Sequence, residues 1–146
     1  MRTDYASDAG MFLVDTIIGL YTLIVMLRFL FGLTGADHLN PISQAVLKLT
    51  NPPLKRLRQI IPNLPGIDTA AVVLLLILEM CRIAGINLLS GHTPAMVGLV
   101  FLSVGELLKL AIYIIIFSIF IRAMLSWFSS AGYTPCLLYT SPSPRD

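Results

Sequence analysis

Long, nearly uninterrupted apolar runs dominate the chain and predict membrane-spanning helices. A helix needs about 20 mostly apolar residues, rising about 1.5 Å each, to cross a hydrocarbon core of about 30 Å. Three stretches meet this requirement: 11–33, 69–89 and 95–128. The third is longer than a bilayer requires, and we interpret it as one tilted or bent helix, because a turn near Gly105 would leave its first arm too short to span. The pattern therefore predicts an all-α, polytopic helical membrane protein with three transmembrane helices.

Composition supports this interpretation and excludes other classes. Of the 146 residues, 56% are hydrophobic and only 12% are charged, whereas an ordinary chain carries about 25% charged residues. The net charge of +2 is dispersed along the chain, so no nucleic-acid partner is expected. Residues 1–10 are interpreted as an N-terminal tail and not as a signal peptide, because the apolar run that follows is too long and Asp4 and Asp8 offset Arg2.

Between the first two spans, residues 40–65 predict a helical segment that lies on the membrane surface. Asn40-Pro41 and Asn51-Pro52 each resemble an N-cap followed by a first helical position, so two short helices are expected. Their apolar residues share one face, which favours an amphipathic, interfacial segment with its cations toward anionic lipid headgroups. A hairpin that caps the bundle outside the lipid is the alternative. The cations predicted to face lipid phosphate are Lys48, Lys55, Arg56 and Arg58.

The distribution of these cations predicts the orientation of the chain. Loop 34–66 contains all four of them, whereas the other connection, 90–96, contains no Lys or Arg. Cytoplasmic loops are enriched in Lys and Arg, so loop 34–66 is expected in the cytoplasm and the N-terminus outside. The expected location is a multi-pass position in the plasma (inner) membrane.

The positions of two arginines suggest an internal repeat. Arg28 and Arg122 each lie the same number of residues before a proline, and the shift that superimposes them also aligns the apolar residues of the first and third spans. A repeat unit with two spans preserves orientation, which makes this a parallel repeat. We interpret residues 11–89 as one repeat and residues 95–135 as the long third span and the start of a second.

The chain resembles the YggT family of small bacterial and plastid membrane proteins. The resemblance rests on the segment NPISQAVLKLTNPPLKRLRQIIPNLPGID at residues 40–68, on the Leu-Arg step at 27–28 and on RAMLSWF at 122–128. It implies two such repeats, four membrane segments and no known catalytic residues. Relatives are associated with cell-division regions, plastid organisation and cytochrome maturation. The basic loop and the final span of the second repeat are absent from this sequence.

The last residues, 136–146, differ from everything before them. Their sequence CLLYTSPSPRD resembles the translation of a transposon-type sequencing adapter, and it begins where the repeat predicts an amphipathic helix like ISQAVLKLT. We expect these residues not to be native, a disordered Ser-Pro tail being the alternative. Cys136 would then not be a native residue, and Cys81 in the second span is expected to be a small buried side chain.

Three ionisable residues are expected at one depth near the cytoplasmic face. They are Arg28 and Arg122, close to the ends of their spans, and Asp68, which opens the second span. Charged groups inside a membrane are costly and mark candidate functional positions. We hypothesise that Asp68 bonds Arg28 or Arg122, because a guanidinium can hold a carboxylate with paired hydrogen bonds. Snorkelling of the arginines to headgroups is the alternative.

Further charged residues within the spans predict secondary pairs. Spacings of three residues favour local ion pairs on one helix face. Asp15 occupies the repeat position equivalent to Lys109 and carries the opposite charge, so these two are predicted to pair across repeats. The predicted local pairs are Glu79 with Arg82 and Glu106 with Lys109.

Motifs that carry catalysis are missing from the sequence. It contains no HExxH, GxSxG, CxxCH or glycine-rich phosphate loop, so neither an enzyme nor a cofactor or metal site is expected, and His38 is interpreted as a surface residue. The expected function is a membrane scaffold or assembly factor that contacts the lipid bilayer and has protein partners or forms a homo-oligomer. The alternative is a small transport or ion-homeostasis protein, although the central stretches of the first two spans offer only Thr22 and Glu79 as polar groups.

Overall fold

The computed structural model describes residues 2–35 and 40–130 of the chain. Within these ranges it contains four helices and a single short bridge between Leu64 and Ile67. Three of the helices are long and apolar enough to cross a membrane, as predicted. The predicted adapter-derived segment, Pro135 and His38 lie outside the described residues. The helices are α1 (Arg2–Thr34), α2 (Pro41–Ile60), α3 (Thr69–Leu89) and α4 (Met96–Ser130).

Helix α1 begins at Arg2, well before the predicted start near residue 11. The predicted polar tail is thus the first part of a helix. Asp4 lies in its first turn, where a carboxylate interacts favourably with the helix dipole. The Ser7 hydroxyl donates a hydrogen bond to the carbonyl of Leu89 at the end of α3 (3.0 Å). This tertiary contact stabilises the early turns, and a search for apolar periodicity cannot reveal it.

Helix α2 is one continuous helix and not the predicted two. Asn40 caps it as expected, because its side-chain oxygen accepts a hydrogen bond from the backbone N–H of Ile42 (3.2 Å). Pro52 and Pro53 lie inside the helix. Each proline lacks the N–H that would bond the carbonyl four residues earlier, which ordinarily breaks a helix at a cost of about 3 kcal/mol. The prediction of two helices was therefore reasonable locally but wrong.

Contacts from α1 explain why α2 continues through its prolines. Pro53 leaves the carbonyl of Leu49 without its usual helical partner, and the hydroxyl of Tyr21 on α1 donates to that carbonyl (3.2 Å). The side chain of Asn51, predicted to cap a second helix, instead accepts a hydrogen bond from Arg28. The Tyr21 hydroxyl thus replaces one of the two backbone bonds that the prolines remove, and Arg28 adds a second contact to the same part of α2.

Helices α1 and α3 are antiparallel neighbours. Ser7 bonds the end of α3, while Met26 near the other end of α1 lines an apolar cavity together with Leu75 of α3. Between these points the helices approach closely at Gly85, where a methyl group would lie 3.2 Å from Cγ1 of Val14. Small residues permit such close packing between membrane helices. The buried apolar residues of these two helices are Val25, Met26, Ala70, Ala71, Leu74 and Leu75.

The chain divides into two compact units, with the boundary inside α4 after Ala111. The connection from α3 to α4 turns at Gly91, whose φ of 77° suits glycine. In the first unit, the stripe Leu99, Ser103 and Leu107 of α4 is buried. In the second unit, the described residues 112–130 continue the helix and carry many exposed apolar side chains. Exposure of this kind suits contact with lipid.

Candidate functional site

Arg28 is the centre of a polar cluster between α1 and α2. Only 8% of this residue is exposed. Its Nη1 donates hydrogen bonds to the Thr50 hydroxyl (2.7 Å), to the Asn51 side-chain oxygen (2.8 Å) and more weakly to the Leu47 carbonyl (3.4 Å). Thr50 in turn donates to the carbonyl of Val46 within α2 (2.7 Å). All of these acceptors are neutral, so the guanidinium is solvated by α2 without being neutralised.

Asp68 lies at the start of α3 and is paired with Arg58, near the end of α2. Its Oδ2 accepts a hydrogen bond from Nη2 of Arg58 at 2.6 Å. Its other oxygen, Oδ1, is buried and has no hydrogen-bond partner among the described residues. The chain reaches this position through a tight turn at Gly66, whose φ is 91°. Asp68 therefore has one oxygen engaged and one unsatisfied.

The predicted bond between Asp68 and Arg28 is replaced by two separate arrangements. The structure pairs Asp68 with Arg58, and Arg28 with the neutral groups of α2. Because α2 continues past its prolines, Arg58 is brought beside the start of α3, a placement that two short helices would not have indicated. Arg122 belongs to the second unit, so its pairing with Asp68 remains a prediction.

A cavity of about 130 Å³ lies within this cluster. Arg58 also lines a larger, more open groove of about 580 Å³ along α2. Of the four cations predicted to face lipid phosphate, Arg56 is exposed and is absent from the lining of both spaces. The groove is lined by Lys48, Asn51, Pro52, Lys55 and Arg58. The cavity is lined by Arg28, Phe31, Gly32, Ser43, Val46, Leu47, Arg58 and Asp68.

A second charged cluster joins α1 to α3 farther along the bundle. Arg82 lies 2.9 Å from a carboxylate oxygen of Asp15 on α1 and 2.9 Å from one of Glu79 on its own helix. The side chain of Glu79 is 1% exposed. On α4, Lys109 lies 2.6 Å from Glu106. Both local pairs have the spacing of three residues from which they were predicted.

The structure shows another contact for each of Asp15 and Lys109, and their predicted pairing with each other stays a prediction. Asp15 contacts Arg82, and Lys109 contacts Glu106. A local partner three residues away reaches Lys109 without any rearrangement of helices, and the antiparallel packing of α1 and α3 brings Arg82 beside Asp15. The sequence interpretation missed this second contact of Arg82 because the relative height of the two helices cannot be determined from hydropathy.

Three polar residues of the cluster around Arg28 were also missed. Tyr21, Thr50 and Asn51 all make contacts between α1 and α2. A signal existed for Tyr21 alone, because Pro53 frees the carbonyl of Leu49, which then needs a donor from another helix. Cys81, expected to be buried, is exposed.

Metal-binding chemistry finds no support in the described ranges 2–35 and 40–130. They contain no group of three His, Cys, Asp or Glu side chains placed to hold a metal ion. What the clusters can do is hold helices together, through Arg82, and attract anions, through Arg28 and the cations of α2. Both roles are electrostatic and neither requires a covalent step.

This arrangement defines a helical protein of the multi-pass membrane type, with three helices long and apolar enough to span a membrane and with charged clusters between helices. The model of the CCB3/YggT family matches residues 7–89, which contain most of α1 and all of α2 and α3. The chain belongs to this family. The matched region includes the cluster around Arg28 and the pairs of Arg58 and Arg82.

Bacterial relatives agree with this assignment. An uncharacterized protein of Pseudomonas aeruginosa is 34% identical over 131 residues, covering 88% of this chain and 66% of the relative. A Vibrio alginolyticus protein from the proC 3′ region is 34% identical over 126 residues, covering 85% and 68%. The uncharacterized protein YggT of Escherichia coli K12 is 38% identical over 71 residues, covering 49% and 38%. The chain thus spans about two thirds of the length of the first two. No solved structure matches it.

Proposed function

We propose that this protein is a non-enzymatic scaffold or assembly factor of the membrane. The observation that carries the proposal is the local pairing of intramembrane charge, in which Arg82 is held between Asp15 and Glu79. A conduction path needs polar groups that face a continuous aqueous line through the bilayer. The buried hydroxyls of Thr22 and Ser103 instead donate to carbonyls of their own helices. Because these hydroxyls are already bonded within their own helices, they leave little to line a path.

The proposed orientation places α2 at the cytoplasmic surface and the N-terminus outside the inner membrane. Support comes from the cations of loop 34–66 and from the apolar residues Ile42, Leu49 and Ile60, which are exposed on α2, Ile60 by 80%. Such residues suit the acyl region of an interface while neighbouring cations face phosphate. Anionic lipids and protein partners, including a second copy of the chain, are the proposed contacts.

Cysteine labelling tests this orientation. A cysteine that replaces Ser90, between α3 and α4, should react with a membrane-impermeant maleimide added to intact cells. A cysteine at Gln59 on α2 should react only after the cells are opened. Cys81 and Cys136 are replaced by Ala in both variants, and the chain with these two replacements alone is the background control. Labelling of Gln59→Cys from outside would contradict the orientation.

The scaffold role is tested by partner capture together with a flux assay. The tagged full chain should enrich a reproducible set of membrane proteins after cross-linking in cells, compared with an unrelated multi-pass protein carrying the same tag. In proteoliposomes it should conduct ions no faster than empty liposomes. Transport is the second candidate, favoured by the deep burial of Glu79. Ion flux that Glu79→Gln abolishes, without any enriched partner, would replace the scaffold by a transporter.

A further inference from the structure

Arg28 is a buried cation that lacks an ionised partner. Buried charges in proteins are ordinarily paired with an opposite charge. Among the described residues, every hydrogen-bond acceptor of Arg28 is neutral, and no carboxylate lies within ion-pair distance of it, although four other ion pairs are formed. Asp68 lines the same cavity but is engaged by Arg58. The position therefore has room for an anion that the chain does not supply.

The charges that line the cavity favour an anionic ligand. Arg28 and Arg58 contribute two cations and Asp68 one carboxylate, so the lining has an excess of positive charge. Three cations and no carboxylate line the adjoining groove: Lys48, Lys55 and Arg58. Arg58 belongs to both linings, so an anion in the groove meets the same guanidinium that borders the cavity. Guanidinium groups are the preferred partners of phosphate.

The remaining polar groups specify more than a bare anion. Asp68 Oδ1 is buried without a donor, and a buried carboxylate oxygen in that state costs free energy until a donor reaches it. Ser43 is buried and contributes a hydroxyl to the lining, which can donate to a phosphate oxygen. A ligand that combines a phosphate with its own hydroxyl would satisfy Arg28, Ser43 and Asp68 together. The volume of about 130 Å³ equals about four water molecules, enough for a phosphate group and a neighbouring hydroxyl.

We propose that the cavity between α1, α2 and the start of α3 binds the phosphate of a hydroxyl-bearing headgroup, as in phosphatidylglycerol. The phosphate lies against Arg28, with Arg58 at the side of the groove, and a headgroup hydroxyl donates to Asp68. The bound headgroup provides Arg28 with an anionic partner, and a single molecule then contacts α1, α2 and the start of α3. The inference does not depend on the proposed scaffold role, which rests on Arg82 and its carboxylates. It does not depend on the orientation either, because the charges that line the cavity are the same whichever side of the membrane α2 faces.

Native mass spectrometry of the full chain in detergent tests this site. The probes are short-chain phosphatidylglycerol, short-chain phosphatidylcholine and sodium phosphate. The chain should retain one phosphatidylglycerol molecule and bind phosphatidylcholine more weakly, because a trimethylammonium group has no N–H to donate to Asp68. Arg28→Gln should lower the affinity for phosphatidylglycerol about tenfold or more, since a charge-assisted bond to phosphate is lost.

Arg56→Gln is the matched control, because it removes the same charge from an exposed position of α2 outside both linings. The affinity of this variant for phosphatidylglycerol should stay within about twofold of that of the native chain at physiological salt, where exposed charges are screened. Equal weakening by Arg28→Gln and Arg56→Gln would overturn the proposal. Binding of sodium phosphate with the same dependence on Arg28 would show that free phosphate also occupies the site, whereas dependence for the lipid alone would identify the lipid as its source.

Asp68→Asn provides a second variant that leaves the hydrogen bonds of Arg28 untouched. It removes the carboxylate that repels an anion and holds Arg58, so sodium phosphate should bind several-fold more tightly. It also removes the anionic acceptor of the headgroup hydroxyl, so the preference for phosphatidylglycerol over sodium phosphate should shrink. If neither affinity changes, the anion does not lie in this cavity and the assignment is wrong.

Discussion

The buried Arg28 and the partly exposed Arg82, both in the first compact unit, have opposite environments. Arg82 contacts two carboxylates, one on its own helix and one on α1, whereas Arg28 contacts a hydroxyl, an amide oxygen and a backbone carbonyl. Both are large cations in apolar helices, where charge is costly. The first is neutralised by the chain itself and serves as a structural tie. The second is solvated but not neutralised, which is the condition expected of a ligand site.

Removal of the cation at Arg82 should produce the largest loss of stability. Arg82→Met leaves Glu79, which is 1% exposed, as a buried carboxylate without a cation. Loss of one member of a buried pair costs about 3–5 kcal/mol, and we expect about 3 kcal/mol because Arg82 is partly exposed. Unfolding by SDS in mixed micelles measures this. Adding Glu79→Gln to Arg82→Met should recover much of the lost free energy of unfolding. A loss in the double variant that equals the sum of the two single losses would contradict the role of Arg82 as a structural tie.

Removal of Arg28 should cost less, although Arg28 makes more hydrogen bonds. Arg28→Gln leaves only neutral acceptors behind, so no buried charge is stranded, and we expect a loss of about 1–2 kcal/mol in lipid-free micelles. The same SDS titration measures it. Added phosphatidylglycerol should widen the difference between the native chain and this variant, since only the native chain gains ligand stabilisation. A loss equal to that of Arg82→Met would mean that Arg28 has a charged partner.

The contact that carries α2 through its prolines should contribute about 1 kcal/mol. The carbonyl of Leu49 has no backbone N–H partner, because the residue four positions later is Pro53. Tyr21→Phe removes its remaining donor, the Tyr21 hydroxyl. In a Pro53→Ala background that N–H returns and can bond the same carbonyl, so Tyr21→Phe should then be nearly neutral. Thermal unfolding of the four chains closes the cycle. An equal cost in both backgrounds would show that the phenol acts through packing alone.

Much of the fold follows from hydropathy. The second span was predicted as residues 69–89 and α3 is Thr69–Leu89, because both of its ends are marked by turn residues and its interior is apolar throughout. The third span was predicted as one long helix, and α4 is one. The cap at Asn40 followed from the Asn-Pro step. Local signals of this kind are sufficient wherever tertiary contacts do not compete with them.

The sequence interpretation was wrong or incomplete wherever one helix acts on another. The early turns of α1 are bonded to Leu89 of α3, and the part of α2 around its prolines is bonded by Tyr21 and Arg28 of α1. The partners of Asp68 and Asp15 depend on where the ends of antiparallel helices lie relative to each other. Which arginine is neutralised is therefore a tertiary property. Two arginines that look alike in the sequence acquired different roles from the helices packed against them.

The smallest expected effect concerns the pair of Arg58 and Asp68, which lines the same cavity as Arg28. The side chains of Arg58 and Asp68 are 40% and 21% exposed, and ion pairs this accessible to solvent contribute only about 0.2–1 kcal/mol to the free energy of unfolding. Arg58→Gln should therefore lower the free energy of unfolding by about 0.5 kcal/mol in lipid-free micelles, with Arg56→Gln near zero as the control.

High salt should narrow the difference between these two variants, because exposed charges are screened. SDS titrations at low and high ionic strength measure it. A salt-independent loss of several kcal/mol for Arg58→Gln would instead show that Asp68 is as dependent on its cation as Glu79 is on Arg82. The ion pair at the start of α3 would then be a structural tie of the same kind, and the anion-binding role would fall to Arg28 and the groove lysines alone.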